Sequence, residues 1–477
     1  MSLKRNTLYN LAGAVLPFAV SIVVIPVFLR LIGEDRYGVL ALVWLVLGYF
    51  GVFDLGLGRA TAQRIASQRH ESIDRQTETY RTALLVNLAL GVLGGLVLWP
   101  AADYIFGNVV NIDGRFREEI LAALPFMALA VPIATVSAVL NGAMQGRERF
   151  LELNIVALIG AVGFQLLPLV VATWFSTHLM WLVLAVVLTR CATMLLLLWR
   201  CQKMFVTAAG VAFASEQAKA LLRFGGWVTL SSIISPLMLM MDRMLIGAVT
   251  GAKAVAHYAV PYQLAERTTI LPEALNAALF PQMASLEESD ARKIASESLL
   301  TLAFLMTPLM AAAIFAVETF LRVWIGQPFS EAASDIARVL LVAFWVNGLA
   351  RVPYALLQAT GRPRLTAMCH LSEVLPYLFI LYVSVTTFGP VGAAVALGVR
   401  VLTDFVLLTY FSGCLRVVWH RLLPSFLLLV WLLVLCSEDL GQALPLWTRV
   451  LWLLVFAVWM IKSVPPPVHD WLKDRIT

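Results

Sequence analysis

After Arg5 the chain runs for more than 20 residues without a charged side chain, until Arg30, and runs of this kind recur almost to its end. A helix that crosses a bilayer needs roughly 20 largely apolar residues. By that measure spans are expected near 8–32, 38–58, 83–106, 119–142, 151–174, 179–199, 223–249, 257–284, 297–321, 335–358, 366–387, 390–413, 421–437 and 445–462. Composition agrees: of 477 residues 60% are hydrophobic and 13% charged, against about 25% charged in a soluble domain. The expected class is therefore an all-α polytopic membrane protein of about 14 transmembrane helices. The first run is too long for a signal-peptide core and lacks a small-residue cleavage site, so it reads as an uncleaved first helix.

The basic residues test this map, because Lys and Arg collect in cytoplasmic loops. With the N-terminus inside, inner segments hold 22 of them and outer segments and outer helix ends 7. A missed or invented helix would scramble every later loop, so the asymmetry supports fourteen spans with both termini cytoplasmic. The net charge of +6 sits in short loops rather than in a patch, and no nucleic-acid partner is expected. The five cysteines lie in or beside apolar runs without metal or disulfide spacing and read as packing residues.

The chain is also doubled. Leu31-Ile32-Gly33 closes helix 1 and Leu245-Ile246-Gly247 closes helix 7, an offset of 214; Gly146-Arg147-Glu148-Arg149 follows helix 4 and Gly361-Arg362-Pro363-Arg364 follows helix 10, an offset of 215. The expected organisation is an N-lobe of helices 1–6 over 1–200, a cytoplasmic linker over 201–222 and a C-lobe of helices 7–12 over 223–415. Helices 13–14 over 416–464 and a cytoplasmic tail over 465–477 fall outside the repeat. Parallel repeats that face one another are a transporter plan.

An ionisable side chain near the bilayer centre costs about 2.5–3.5 kcal/mol on insertion scales and should face protein or a wet cavity. Tyr262, Glu266, Thr269, Glu273 and Asn276 follow one another in steps of 4, 3, 4 and 3, which keeps one helix face. Glu266 and Glu273 share that stripe without a complete local partner set, so a wet cavity is expected beside them. Arg400 and Asp404 stand i,i+4 and can neutralise each other. His370, Glu373 and Tyr377 form a further stripe, in which His370 reads as a packed polar residue. Prolines inside spans, among them Pro26, Pro261, Pro272, Pro353 and Pro376, remove hydrogen bonds and bend helices. No nucleotide-binding loop, HExxH or Cys-His metal spacing is present, so energy is expected from an ion gradient, the membrane potential or the substrate gradient.

The run Pro26 to Gly33 (PVFLRLIG), Tyr37-Gly38 and Phe53 to Arg64 (FDLGLGRATAQR) resemble the opening of bacterial polysaccharide-transport proteins. These are the lipid-linked oligosaccharide, or O-antigen, flippases of the multidrug/oligosaccharidyl-lipid/polysaccharide exporter superfamily. Asp242-Arg243 before Ile246-Gly247, His257-Tyr258-Ala259 and the two Gly-Arg-x-Arg turns extend the likeness over helices 1–12. The resemblance implies a cavity between two six-helix lobes that opens alternately inward and outward. It also implies a cargo, an oligosaccharide on undecaprenyl pyrophosphate moved from the inner to the outer leaflet of the bacterial inner membrane for O-antigen, exopolysaccharide or capsule synthesis. The expected partners are that lipid-linked oligosaccharide, membrane lipids, and polysaccharide polymerase and chain-length proteins.

Arginine suits a pyrophosphate through its planar, always-charged fork, and the candidates are Arg30, Arg267, Arg351 and Arg400. Glu266, Glu273, Glu373 and Asp404 are the candidates for coupling to H+ or Na+, if an ion is used; no other cofactor is expected. In FDLGLGRATAQR, Asp54, Gly56, Gly58 and Arg59 are candidates for an inner gate, with Asp54 able to pair with Arg59. A multidrug antiporter of the same superfamily is the first rival, although helix 1 lacks the carboxylate such proteins often use. A membrane-embedded polymerase or ligase, for which the outer loops are short, and a scaffolding protein are the others.

Overall fold

The computed structural model describes residues 3–48, 54, 56–69, 71–205, 238, 240–437 and 445–465. The chain forms two compact units, Met1–Ala256 and His257–Thr477. The first holds α1 (Leu3–Gly48), α2 (Leu57–Ser67), α3 (Ile73–Tyr104), α4 (Gly114–Gly146), α5 (Phe150–Trp174), α6 (Leu179–Met204) and α7 (240–249). After α8 (Ala252–Glu266), which straddles the division, the second holds α9 (Ile270–Ala284), α10 (Glu288–Trp324), α11 (Gln327–Ala359), α12 (Pro363–Phe411), α13 (Leu415–Cys436) and α14 (Leu446–Lys462). Among the described residues nine helices are long and apolar enough to cross a membrane. The chain is a multi-pass, all-helical membrane protein.

Two of these helices are folded hairpins. In α1 the backbone turns at Gly33, with φ 78° and ψ 165°, a region glycine enters without a Cβ penalty. The rings of Phe28 and Trp44 then meet at 5.9 Å, whereas 16 residues of straight helix would hold them about 24 Å apart. α12 turns in the same way at Gly389, with φ 57° and ψ −139°. The two expected pairs of spans, 8–32 with 38–58 and 366–387 with 390–413, are therefore hairpins closed by a single glycine.

The described part of the expected second span reaches Gly48, and Leu57–Ser67 is a separate helix behind a left-handed Gly56 at φ 69°. FDLGLGRATAQR is thus not the end of a spanning helix; its described part is a turn and a new element. Other helices overrun their apolar cores, since hydropathy detects only the part in lipid. α3 starts at Ile73 because the Ser72 hydroxyl accepts from the Arg75 N–H at 3.4 Å. The expected span over 223–249 and the linker over 201–222 lie mostly outside the described residues.

Helices stop here in a recurring way. After α4 the Arg149 N–H donates to Met144 O at 2.9 Å, and after α11 the Arg362 N–H donates to Leu357 O at 2.8 Å. Each turn holds one left-handed residue, Glu148 at φ 58° and Gly361 at φ 74°. The same six-residue closure stops both helices, and α5 and α10 end with it too, through Ser176 N–H to Val171 O and Gly326 N–H to Leu321 O.

α2 is locked to α4 through backbone contact. A Cβ on Gly142 would fall on Gly58 O; one on Gly58 would lie 2.8 Å from Ala138 O, and one on Gly146 2.8 Å from Ala62 O. Around this seam Leu57, Ile65, Leu140, Met144 and Phe205 are buried together. Elsewhere in the first unit, Arg36 grips Glu119 through Nη2 at 2.5 Å and Nε at 3.1 Å. Glu119 also accepts the first amide of α6, Leu179 N–H, at 2.9 Å, so one carboxylate joins the α1 turn, α4 and α6.

Replacing Gly142 by Ala is expected to destabilise the fold by about 1–3 kcal/mol through overpacking. Gly114→Ala, where a Cβ meets nothing within 4 Å, is the neutral control. Thermal unfolding of the purified variants in detergent reads the difference; equal melting points would show that the seam yields freely.

Candidate functional site

The α12 hairpin gathers the charged residues. Gly392 packs so closely on the opposite arm that a Cβ would fall on Ser384 O. This brings His370 Nδ1 to 3.4 Å from Asp404 Oδ1, groups that 34 residues of straight helix would separate by about 51 Å. One step along, Arg400 Nε lies 3.9 Å from Glu373 Oε2, and the Arg400 guanidinium sits 5.4 Å from the Tyr377 ring centre. Tyr354 of α11 places its ring 6.0 Å from His370.

Glu373 is 4% and Asp404 9% exposed. Both carboxylate oxygens of Glu373 and Oδ1 of Asp404 are sealed from solvent without a hydrogen bond among the described residues. Ligand atoms of His370, Glu373 and Asp404 lie within 4.8 Å of one another. Two carboxylates therefore face one permanent cation, Arg400. A buried cluster of this kind is one positive charge short, and a proton or a bound cation can supply it.

The expected i,i+4 neutralisation of Arg400 by Asp404 is replaced by pairing across the hairpin, Arg400 with Glu373 and Asp404 with His370. His370, read from sequence as a packing residue, belongs to the cluster. The sequence signal for it was the shared stripe with Glu373; its partner stood on the other arm.

The stripe on α8 and α9 runs through a change of helix type. Pro272 has no N–H for the carbonyl of residue 268, and Arg267–Thr269 tighten into a 3-10 turn. Such a turn adds about 20° per residue to the helical phase. Tyr262 and Thr269 end up buried, Glu266, Arg267 and Glu273 exposed. Glu273 also has a partner that the sequence reading did not give it: Arg351 Nη2 of α11 lies 3.1 Å from its Oε1, and the Thr269 hydroxyl donates at 3.3 Å. One candidate for substrate binding and one for ion coupling are thus an ion pair. Arg30 on α1 is exposed and joins neither group.

Asp54, the central gate candidate, is 7% exposed. Its Oδ1 and Oδ2 accept from the Gly58 N–H at 3.0 and 3.1 Å, and Oδ1 accepts from Asn87 Nδ2 at 2.9 Å. Asn87 is held in turn, its carbonyl accepting from the Thr135 hydroxyl at 2.9 Å. Asp54 therefore anchors the N-terminus of α2 to α3 and α4, where a carboxylate suits the helix dipole. Arg59 is exposed and acts on it through charge alone. Burial pushes the Asp54 carboxyl above its ordinary 3.8, against the opposing pull of the Gly58 and Asn87 donors and the Arg59 charge.

Residues 27–334 match the family described as "Polysaccharide biosynthesis protein". The chain is 28% identical over 411 residues to a Shigella flexneri protein named "Putative O-antigen transporter", covering 86% of this chain and 97% of that one. In fold it is similar to "Lipid II flippase MurJ, inward closed conformation", at TM-score 0.68 and 12% identity over 99% of each chain. It is similar also to an inward-facing multidrug resistance MATE family transporter of the MOP superfamily, at TM-score 0.66 and 18% identity over 87% of this chain and 96% of that one.

Removing Arg400 alone strands two buried carboxylates, and Arg400→Leu is expected to cost about 3–5 kcal/mol. Adding Glu373→Gln should restore much of that loss, and a double-mutant cycle by thermal unfolding measures the coupling; additive effects would dissolve the pair. For Asp54 the raised carboxyl gives stability that is complete below 3.8 and fades as pH rises through the elevated pKa. Asp54→Asn is permanently neutral, so its melting point should gain on that of wild type as pH rises above 3.8. A gap that stays level with pH would mean the donors around Asp54 outweigh its burial.

Proposed function

The chain belongs to the polysaccharide biosynthesis protein family, and on that premise we propose that it is a flippase for lipid-linked glycans. In this reading it carries an oligosaccharide on undecaprenyl pyrophosphate from the inner to the outer leaflet of the bacterial inner membrane, with both termini cytoplasmic. The observation that carries the proposal is the pair of arginine–glutamate contacts on otherwise apolar helices, Arg400 with Glu373 buried on α12 and Arg351 with Glu273 between α11 and α9. A sugar and a pyrophosphate need such polar groups to leave water, while a polyprenyl chain is at home in lipid.

The arrangement suggests how cargo and ion exchange. Arg351 and Arg400 are each held by a carboxylate while no anion is near. A proton or Na+ entering the His370–Glu373–Asp404 cluster would compensate the carboxylates and release Arg400 toward a pyrophosphate. Cargo and ion then favour the same state, a reciprocal coupling. Of the four carboxylates expected to couple an ion, Glu373 and Asp404 fit this role best, because Glu273 is already answered by Arg351. Asp54, Gly56, Gly58 and Arg59 would act at the gate as the joint that fixes α2 on α4, rather than as a charge lock.

Cells lacking their own oligosaccharide flippase supply the test, scored by surface glycan and by the leaflet of the lipid-linked precursor. Wild type should restore outer-leaflet precursor, and Arg351→Ala should reduce it by about tenfold or more at normal membrane levels, as the loss of a charged hydrogen bond implies. A wild type that fails with several glycan types yet lowers sensitivity to cationic drugs would make the protein a multidrug antiporter instead.

A further inference from the structure

Within the first unit, α4, α5 and α6 form an open-sided cavity of about 320 Å³ lined by Ser137, Asn141, Gly160, Arg190, Thr193 and Leu197, among others. All three helices are among those apolar and long enough to span the membrane. The wall between α5 and α6 is thin because Gly160 and Gly163 lack side chains; a Cβ there would lie 3.2 Å from Thr193 Cγ2 and 2.8 Å from Thr189 Cγ2. This close approach sets Arg190 and Thr193 at the cavity wall.

Arg190 differs from Arg351 and Arg400 in its partners. It makes no ion pair with a carboxylate among the described residues, its Nε is sealed without a hydrogen bond, and its guanidinium leans on the Phe164 ring at 5.6 Å. Arg351 and Arg400 each have a glutamate. No acidic residue lines the cavity, which disfavours a cation there. The Ser137 hydroxyl already donates to Ile133 O at 2.7 Å and the Thr193 hydroxyl to Arg190 O at 2.9 Å. The free donors are thus the Arg190 fork and the Asn141 amide, which makes no side-chain hydrogen bond among the described residues. The rest of the wall, including Ile133, Val156 and Leu197, is apolar.

We infer that this cavity is a second phosphate subsite, in which Arg190 and Asn141 hold the diphosphate of a prenyl-linked substrate. The inference rests on the flippase reading and adds to it a site inside one unit, separate from the α12 cluster. Arg190 supplies a bidentate, permanently charged donor pair, Asn141 a neutral one, and the apolar wall accepts the first part of the chain. An ordinary anionic phospholipid offers the same headgroup chemistry, so the test must separate the two sources.

Purified full-length protein in phosphatidylcholine nanodiscs would be titrated with labelled farnesyl diphosphate. Saturable binding is expected, weakened about tenfold or more by Arg190→Ala, as loss of one charged hydrogen bond implies. Asn141→Ala should weaken it less, and Arg190→Lys should retain part of the affinity. Replacing part of the phosphatidylcholine by phosphatidylglycerol should leave binding unchanged. Unaltered affinity in Arg190→Ala, or displacement of the probe by phosphatidylglycerol, would overturn the inference. Should Arg190→Ala fail to fold by thermal unfolding, Asn141→Ala and Arg190→Lys decide the matter alone. In the complementation assay, full activity of Arg190→Ala beside an active wild type removes this subsite and leaves the flippase reading intact. An inactive wild type removes the flippase reading itself.

Discussion

A peptide group in hydrocarbon has no water to bond, so each must find its partner within the chain. This one constraint forces long helices and leaves few places where the backbone can turn. Gly33 and Gly389 turn it within a single residue, so the break in the hydrogen-bond ladder is as short as it can be. The turns after α4 and α11 close theirs with the same N–H to carbonyl bond across six residues. The polar grouping on α12 is placed by such a reversal.

Packing in lipid draws little from hydrophobicity, since the tails are as apolar as the side chains, and close backbone approach takes its place. The α2–α4 seam at Gly58, Gly142 and Gly146 is of this kind, and so are the Gly160 and Gly163 contacts of α5 with α6. The first seam holds α2 beside the Asp54–Asn87 network; the second brings α5 against α6 beside the cavity that Arg190 lines.

Charge is distributed on two principles. Arg36 with Glu119 and Arg338 with Glu318 and Asp335 are answered ion pairs that tie helix ends. The α12 cluster and Arg190 are incompletely answered, the first short of a cation and the second without an anion among the described residues. A transporter needs such deficits, because a ligand can shift an equilibrium only where it finds a difference between states. The fully answered pairs frame the molecule, and the unanswered ones are where its cargo and coupling ion are proposed to act.

Much of this was legible in the chain. Runs of about 20 apolar residues determine the helices. The glycines, prolines and repeated Gly-Arg turns foretell where helices stop, and the opening motifs identify the family. The sequence named Glu373, Arg400 and Asp404, since polar residues inside apolar runs stand out. It did not pair them, because Glu373 and Arg400 meet only after α12 folds back at Gly389. Nor did it foresee that Arg351 would answer Glu273 from another helix. Periodicity is a property of one helix, and it places a residue on a face. Which face meets which is decided by backbone approach at glycines and by helix reversal, and these depend on contacts between distant segments that no local pattern contains.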